Sequence, residues 1–266
     1  MIRQNVYKDG RRHILTMSYD DGQQHDRRLV EIFDKYGIKG TFNLNSSTID
    51  APGQVTSSEI KTLYKNHEVA VHTVTHPWLE KCDDQTVVKE ILEDRKFLEK
   101  CCGYPIRGMA YPFGTRNPRV IELAKACGIV YSRTADNSGW FGMPADFMEW
   151  TGTCHHRDCI DTAKRFIQST ANGNPWFSGL FYVWGHSFEF PRENNWDMIE
   201  EFCKMMSGRD DIWYATNIEI YDYVQAQKSL RITVDESVIQ NPTNLDVWIE
   251  KDREIVKIPA GETVTF

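Results

Sequence analysis

The sequence predicts an α/β fold, either a (β/α) barrel or a doubly wound sheet, on three observations. Apolar strand-like runs alternate with amphipathic helical stretches over about 225 residues, the pattern of a parallel sheet covered by helices. The helical stretches carry recognisable start and stop signals. The chain has 266 residues, enough for one large domain with at most a small appendage, and 41% hydrophobic with 12% aromatic residues suits a packed core.

In chain order, strands are expected over residues 14–20, 40–45, 68–73, 107–113, 129–134, 147–153, 180–187 and 212–217. After the first strand, Leu29, Ile32, Phe33 and Tyr36 make the i, i+3, i+4, i+7 stripe of a helix. Thr56-Ser57-Ser58-Glu59 is a capping-box pattern that should open another. Asn117-Pro118 starts a third, with Val120, Ile121, Leu123, Ala124 and Cys127 on its apolar face and Gly128 as its stop. Trp196, Ile199, Phe202, Cys203 and Met206 form a late helix closed by Gly208. Residues 135–146 carry no helix pattern between two strands, which argues against a regular barrel. From Arg231 onward the text changes to short alternating strands with turns. The expected division is a main domain over residues 1–228 and a small β-rich extension over 229–266 packed on it.

The charge balance narrows the function. Net charge is −7, from 31 basic and 38 acidic residues, and no Lys/Arg run exceeds two, so the basic footprint of a nucleic-acid binder is missing. No apolar run approaches the ~18 residues of a membrane span, and no signal-peptide pattern opens the chain. Seven cysteines, an odd number, suit reduced thiols and a cytoplasmic location.

Two motifs carry chemistry, each at the end of a predicted strand, where α/β folds collect catalytic loops. Ser18-Tyr19-Asp20-Asp21-Gly22 places adjacent carboxylates where the first strand becomes a loop. Such carboxylates repel unless a cation or proton sits between them. Read alone, Asp-Gly is also a common turn. His72-Thr73-Val74-Thr75-His76 ends the third strand, and two histidines four apart can share one metal ion. Pro77 disfavours helix at His76, so a loop or a single turn is expected there.

Asp-Asp-Gly, His-x-x-x-His, a late strand ending in His186, and Tyr36-Gly37-Ile38-Lys39-Gly40-Thr41-Phe42 together resemble the polysaccharide deacetylase family, carbohydrate esterase family 4, over roughly residues 12–225. The resemblance implies a distorted (β/α) barrel. It implies one divalent metal ion, zinc or else cobalt, nickel or manganese, held by Asp21, His72 and His76. It casts Asp20 as general base and His186, in Trp184-Gly185-His186, as general acid. The implied reaction removes an N-acetyl or related acyl group from an amino sugar or oligosaccharide.

This sequence departs from the family pattern in one motif. Where the family has Arg-x-Pro-Tyr-Gly, the text is Arg107-Gly108-Met109-Ala110-Tyr111-Pro112-Phe113-Gly114, so Ala110 stands at the arginine that partners the base. Phe113 falls at the backbone donor of the oxyanion, and Tyr111 lies beside it. Arg107 or Arg133 could supply the missing cation. The family's Asp and Trp lining the site have candidates in Asp136, Trp140 and Trp150. Cys154-His155-His156-Arg157-Asp158-Cys159 reads as a rim contact through His155 or His156 before it reads as a structural zinc site. The alternatives are a metal-dependent amidase on a non-sugar amide or ureide, an O-acetyl esterase, and a silent carbohydrate-binding relative. The complete set of five acidic and histidine residues argues against silence.

Overall fold

The computed structural model describes residues 1–171 and 177–266. Its main sheet holds nine parallel strand segments: β1 (His13–Asp20), β2 (Gly40–Leu44), β3 (Glu68–Val71), β4 (Gly108–Ala110), β5 (Tyr131–Asn137), β6 (Trp150–Gly152), β7 (Cys154–His155), β8 (Gly179–His186) and β9 (Ile212–Tyr214). Hydrogen-bonded neighbours run β6-β5-β4-β3-β2-β1-β8-β7. The two ends of that list are one stretch of chain. β6 pairs with β5, and beyond it the Thr153 N–H donates to the Tyr182 carbonyl at 2.7 Å while β7 pairs with β8. The ring therefore closes through residues 150–155.

The ring is distorted at β1. Its first half pairs with β9, from His13–Ile212 to Leu15–Tyr214, and its second half pairs with β2, from Met17–Gly40 to Asp20–Asn43. Around the ring lie α1 (Asp26–Tyr36), α2 (Ile60–Leu63), α3 (Asp84–Cys102), α4 (Pro118–Ala126), α5 (Cys159–Ala171), α6 (Glu189–Glu193), α7 (Trp196–Met206) and α8 (Asn217–Lys228). This is the distorted (β/α) barrel expected.

Side chains of a strand alternate between faces, and β1 uses that alternation to separate two environments. Leu15, Met17 and Tyr19 join Leu29, Phe33 and Phe42 in the apolar layer between barrel and helices. Thr16, Ser18 and Asp20 point the other way, where Thr16 bonds Asn217 and Ser18 accepts from Asn43 and Arg133. The lumen of this barrel is polar, and its largest apolar core lies outside the ring.

Some local expectations hold and others shift. The Asn117 side chain caps α4 by accepting from Val120 N–H at 2.9 Å. The Thr56–Glu59 pattern opens only the four-residue α2, with Glu59 bonding back to Thr56 N–H at 2.6 Å and clamping Arg27. Residues 147–149 form a 3-10 turn instead of the start of a strand, and Pro112–Gly114 forms another after β4. Past α8, Val247–Lys251 and Glu254–Ile258 form an antiparallel sheet that Ile2–Arg3 completes, and three further short strands make a second one. Ile239, Val247, Ile249 and Ile258 bury themselves against Ala226 of α8. Among the described residues no helix is long and apolar enough to cross a membrane.

Candidate active site

The register of the parallel ring brings the acidic and imidazole groups together. Asp20 ends β1, and its partners in register are Asn43 on β2 and His186 on β8. The three side chains share one level at the C-terminal mouth of the barrel. Asn43 donates to Asp20 Oδ1 at 2.8 Å, and the Arg133 guanidinium donates to Oδ2. His72 Nε2 and His186 Nε2 each stand 3.9 Å from the same Oδ2. Burial opposes a charge on Asp20, but Arg133 and the two imidazoles outweigh it and hold the carboxyl well below the usual carboxylate range.

Asp21 breaks the alternation of the strand because its backbone is left-handed, with φ 78°. That conformation is uncommon outside glycine and allows two consecutive carboxylates to face one space. His72 follows β3, where its N–H is held by the Leu44 carbonyl at 3.0 Å and by Asp94 at 3.1 Å. Burial raises Asp94 to about 7, with bonds from Ser46 and His72 opposing that rise. His72 Nδ1 lies 2.8 Å from the Ala110 carbonyl, so it carries the proton and leaves the Nε2 lone pair facing the mouth, 3.8 Å from Asp21. Thr73 and His76 are both left-handed, at φ 70° and 56°, which folds the segment back until the two imidazoles are 4.7 Å apart. One donor atom each from Asp21, His72 and His76 fall within 4.8 Å of one another. One carboxylate and two imidazoles fit a zinc-type divalent ion and leave positions open for water and substrate.

Arg133 occupies the place of the missing cation. It is the register partner of Ala110 on the neighbouring strand, and its fork reaches Asp20, Ser18 at 3.2 Å and the Thr134 carbonyl at 2.8 Å. Trp184 lies beneath its guanidinium, 4.8 Å from ring centre to Cζ. Arg133 is 1% exposed, so its partner is Asp20 and it is not placed to contact a substrate. Arg107 pairs with Asp222 elsewhere.

Glu189 is the residue that reading the sequence missed. It lies on α6, three residues past His186, and its Oε1 is 3.2 Å from His186 Nδ1. Its Oε2 is 3.0 Å from His156 Nε2 and 3.2 Å from His155 Nε2. Burial works against its charge, yet the three imidazoles outweigh burial and hold Glu189 well below the usual range. His186 in turn is raised above the ordinary imidazole value: burial lowers it, but Glu189, Asp20 and Asp21 together prevail. The signal was present in the i, i+3 spacing, but Glu189 also reads as the first turn of a helix.

Other expected contacts fall elsewhere. Tyr111 is buried with its hydroxyl donating to the Met148 carbonyl at 3.0 Å, which makes it a core residue. Trp150 is buried among Tyr131, Phe147 and Tyr182. Asp136 pairs with Arg116 at 2.9 Å, and Trp140 is 76% exposed. His155 reaches Glu189 instead of a substrate-facing rim, while His156 stacks against Phe190 and Tyr19. Phe113 is left-handed, φ 58°, and its N–H makes no hydrogen bond among the described residues. Its ring lies between His76 and Trp78, with centroids at 4.5 and 4.3 Å.

The sequence model of the family described as Polysaccharide deacetylase matches residues 7–132. A peptidoglycan N-acetylglucosamine deacetylase of Bacillus cereus is 24% identical over 132 residues, which are 48% of this chain and 60% of that protein. The chain therefore spans less than two thirds of that curated relative. Among solved structures, a Mycobacterium smegmatis protein assigned to the polysaccharide deacetylases superposes with a TM-score of 0.63 at 17% identity, covering 86% of this chain and 96% of that one. A family 4 pseudoenzyme of Bacillus anthracis gives 0.51 at 17% identity, covering 77% and 64%. These likenesses carry the fold, and the polysaccharide deacetylase family model matches just under half of the chain, from ahead of β1 to the start of β5.

Proposed function

We propose that this chain is a divalent-metal-dependent hydrolase that removes an N-acetyl or related acyl group from an amino sugar or oligosaccharide. The observation that carries the reading is the pairing of each ionisable group with a partner that suits its role. Arg133 pairs with Asp20 and favours its ionised form, and Glu189 pairs with His186 and favours its protonated form, at one mouth beside three metal-type ligands. Zinc, or cobalt, nickel or manganese, held by Asp21, His72 and His76 would supply Lewis-acid activation of water and of the acyl oxygen.

The chain's own residues do the rest. Asp20 accepts the proton of the attacking water. The free N–H of Phe113 faces the charge that develops on the acyl oxygen. His186 Nε2, 3.9 Å from Asp20, gives its proton to the departing amine. His72 keeps its donor lone pair aimed through the bond to Ala110. All seven cysteines are free, which suits a reducing compartment and a small soluble substrate in place of a wall polymer.

The test is acetate release over a panel of N- and O-acetylated sugars and non-sugar amides. Asp20→Asn should keep its metal and lose about 10²–10⁴-fold in rate, the usual worth of general-base help. Turnover of non-sugar amides alone would replace the sugar with an amidase substrate. An Asp20→Asn protein near the wild-type rate would remove Asp20 from the mechanism.

A further inference from the structure

Glu189 does more than hold His186. Its second oxygen, Oε2, is buried and makes no hydrogen bond among the described residues, although two imidazole nitrogens lie near it. His155 ends β7, His186 ends β8 and Glu189 begins α6, and the β7–β8 pairing of His155 with Trp184 fixes the two strand ends side by side. One donor atom from each of the three falls within 4.8 Å of the others. Two imidazoles and a carboxylate at this spacing repeat the donor set of the first site.

We propose that His155, His186 and Glu189 form a second divalent-metal site, weaker than the first, whose filling stops proton donation by His186. The inhibitory part rests on the role given to His186 above. The binding part does not.

Three features make this site the weaker one. His155 Nδ1 accepts the Arg157 N–H at 3.3 Å, so the ring's proton sits on Nε2. An ion at Nε2 requires that proton to move to Nδ1, and the bond to Arg157 is lost. His186 must also free Nδ1, its proton leaving to solvent if the ring is an imidazolium and moving to Nε2 if it is neutral. Arg157 and Arg192 lie 3.8 and 3.6 Å from the carboxylate and repel a cation. In the filled site His186 still bears an Nε2 proton, but releasing it would leave an imidazolate instead of a neutral ring. It is then a far weaker acid, and an amine leaving group goes unprotonated.

The experiment is equilibrium dialysis of the chain against rising Zn²⁺, with metal counted per chain and acetate release followed in parallel. The wild type should take up one tight equivalent and then one weak equivalent, with activity rising with the first and falling with the second. His155→Ala and Glu189→Gln should keep the tight equivalent, which also reports that they are folded, and lose the weak one. Excess zinc should no longer inhibit His155→Ala. Saturation of the wild type at one equivalent overturns the second site and leaves the proposed hydrolase standing. Retention of the weak equivalent in both variants also overturns it. Binding of no zinc at all overturns both.

Discussion

Arg133 reaches Asp20 across the ring from β5 and also touches Ser18 and the Thr134 carbonyl, which a lysine could not do at once. Arg133→Lys should therefore lower kcat/KM by about 10–100-fold, the usual effect of losing a group that orients a catalytic residue. It should also move the acid limb of the pH–rate profile upward, because burial would then raise Asp20 with less to oppose it. An acid limb that stays in place would show that Arg133 does not set the base. At the other group the sign is reversed. His186 must be protonated to act as an acid, so the rate falls as pH rises through its pKa, and that limb should lie above the ordinary imidazole value. Glu189→Gln leaves burial dominant and should shift the limb downward on an N-acetyl sugar. An aryl acetate, whose leaving group needs no proton, should lose far less rate. Equal loss on both substrates would make Glu189 and His186 positioning groups only.

The strand ends set these groups in place, and close backbone packing leaves little tolerance there. A Cβ on Gly185 would meet His156 Nδ1 at 2.1 Å, inside the stack of Tyr19, His156 and Phe190. Gly185→Ala must push β8 or His156 aside, and should cost about 1–3 kcal/mol in urea unfolding, as overpacking does. It should also disturb the bonds around Glu189 and lower activity beyond what the stability loss explains. A variant as stable and as active as the wild type would show that the stack yields freely. The elements themselves were largely legible from the sequence. The stripe of α1, the Asn117 cap and the Trp196–Met206 face all follow from local periodicity and capping. The exceptions are local too. Phe147–Glu149 is a 3-10 turn in which the Asp146 side chain accepts from Met148 N–H at 2.8 Å, and α2 ends after one turn with Tyr64 as its C-cap.

At the end of the barrel opposite the site, Glu68 closes the lumen, accepting from Tyr131, Thr41 and the Ile218 N–H at 2.7–2.9 Å. Burial raises it to about 7, only partly opposed by those bonds. Between its ordinary value of 4.5 and about 7 the folded chain keeps a proton that the unfolded chain releases. Its contribution to stability is thus complete below 4.5 and is lost as pH rises through 7. Asp26 and Asp94, also raised to about 7 by burial, act with the same sign. The melting temperature of the metal-free chain should fall from about pH 5 to about pH 8, and Glu68→Gln should flatten part of that slope. An unchanged slope in the variant would show that Glu68 is ionised in the folded chain. Over the whole molecule, the sequence alone determined the α/β class and singled out the five acidic and histidine candidates at the strand ends. Each of these is a local pattern: a periodicity, a short motif or a spacing within one turn. Tertiary structure alone decided that residues 150–155 close the ring and that Ile2–Arg3 joins the C-terminal sheet. It also decided that Arg133 replaces a cation missing at Ala110, and that Glu189 gathers three imidazoles. Those partners lie on different strands and helices, and only the closing of the parallel ring sets which strand ends become neighbours.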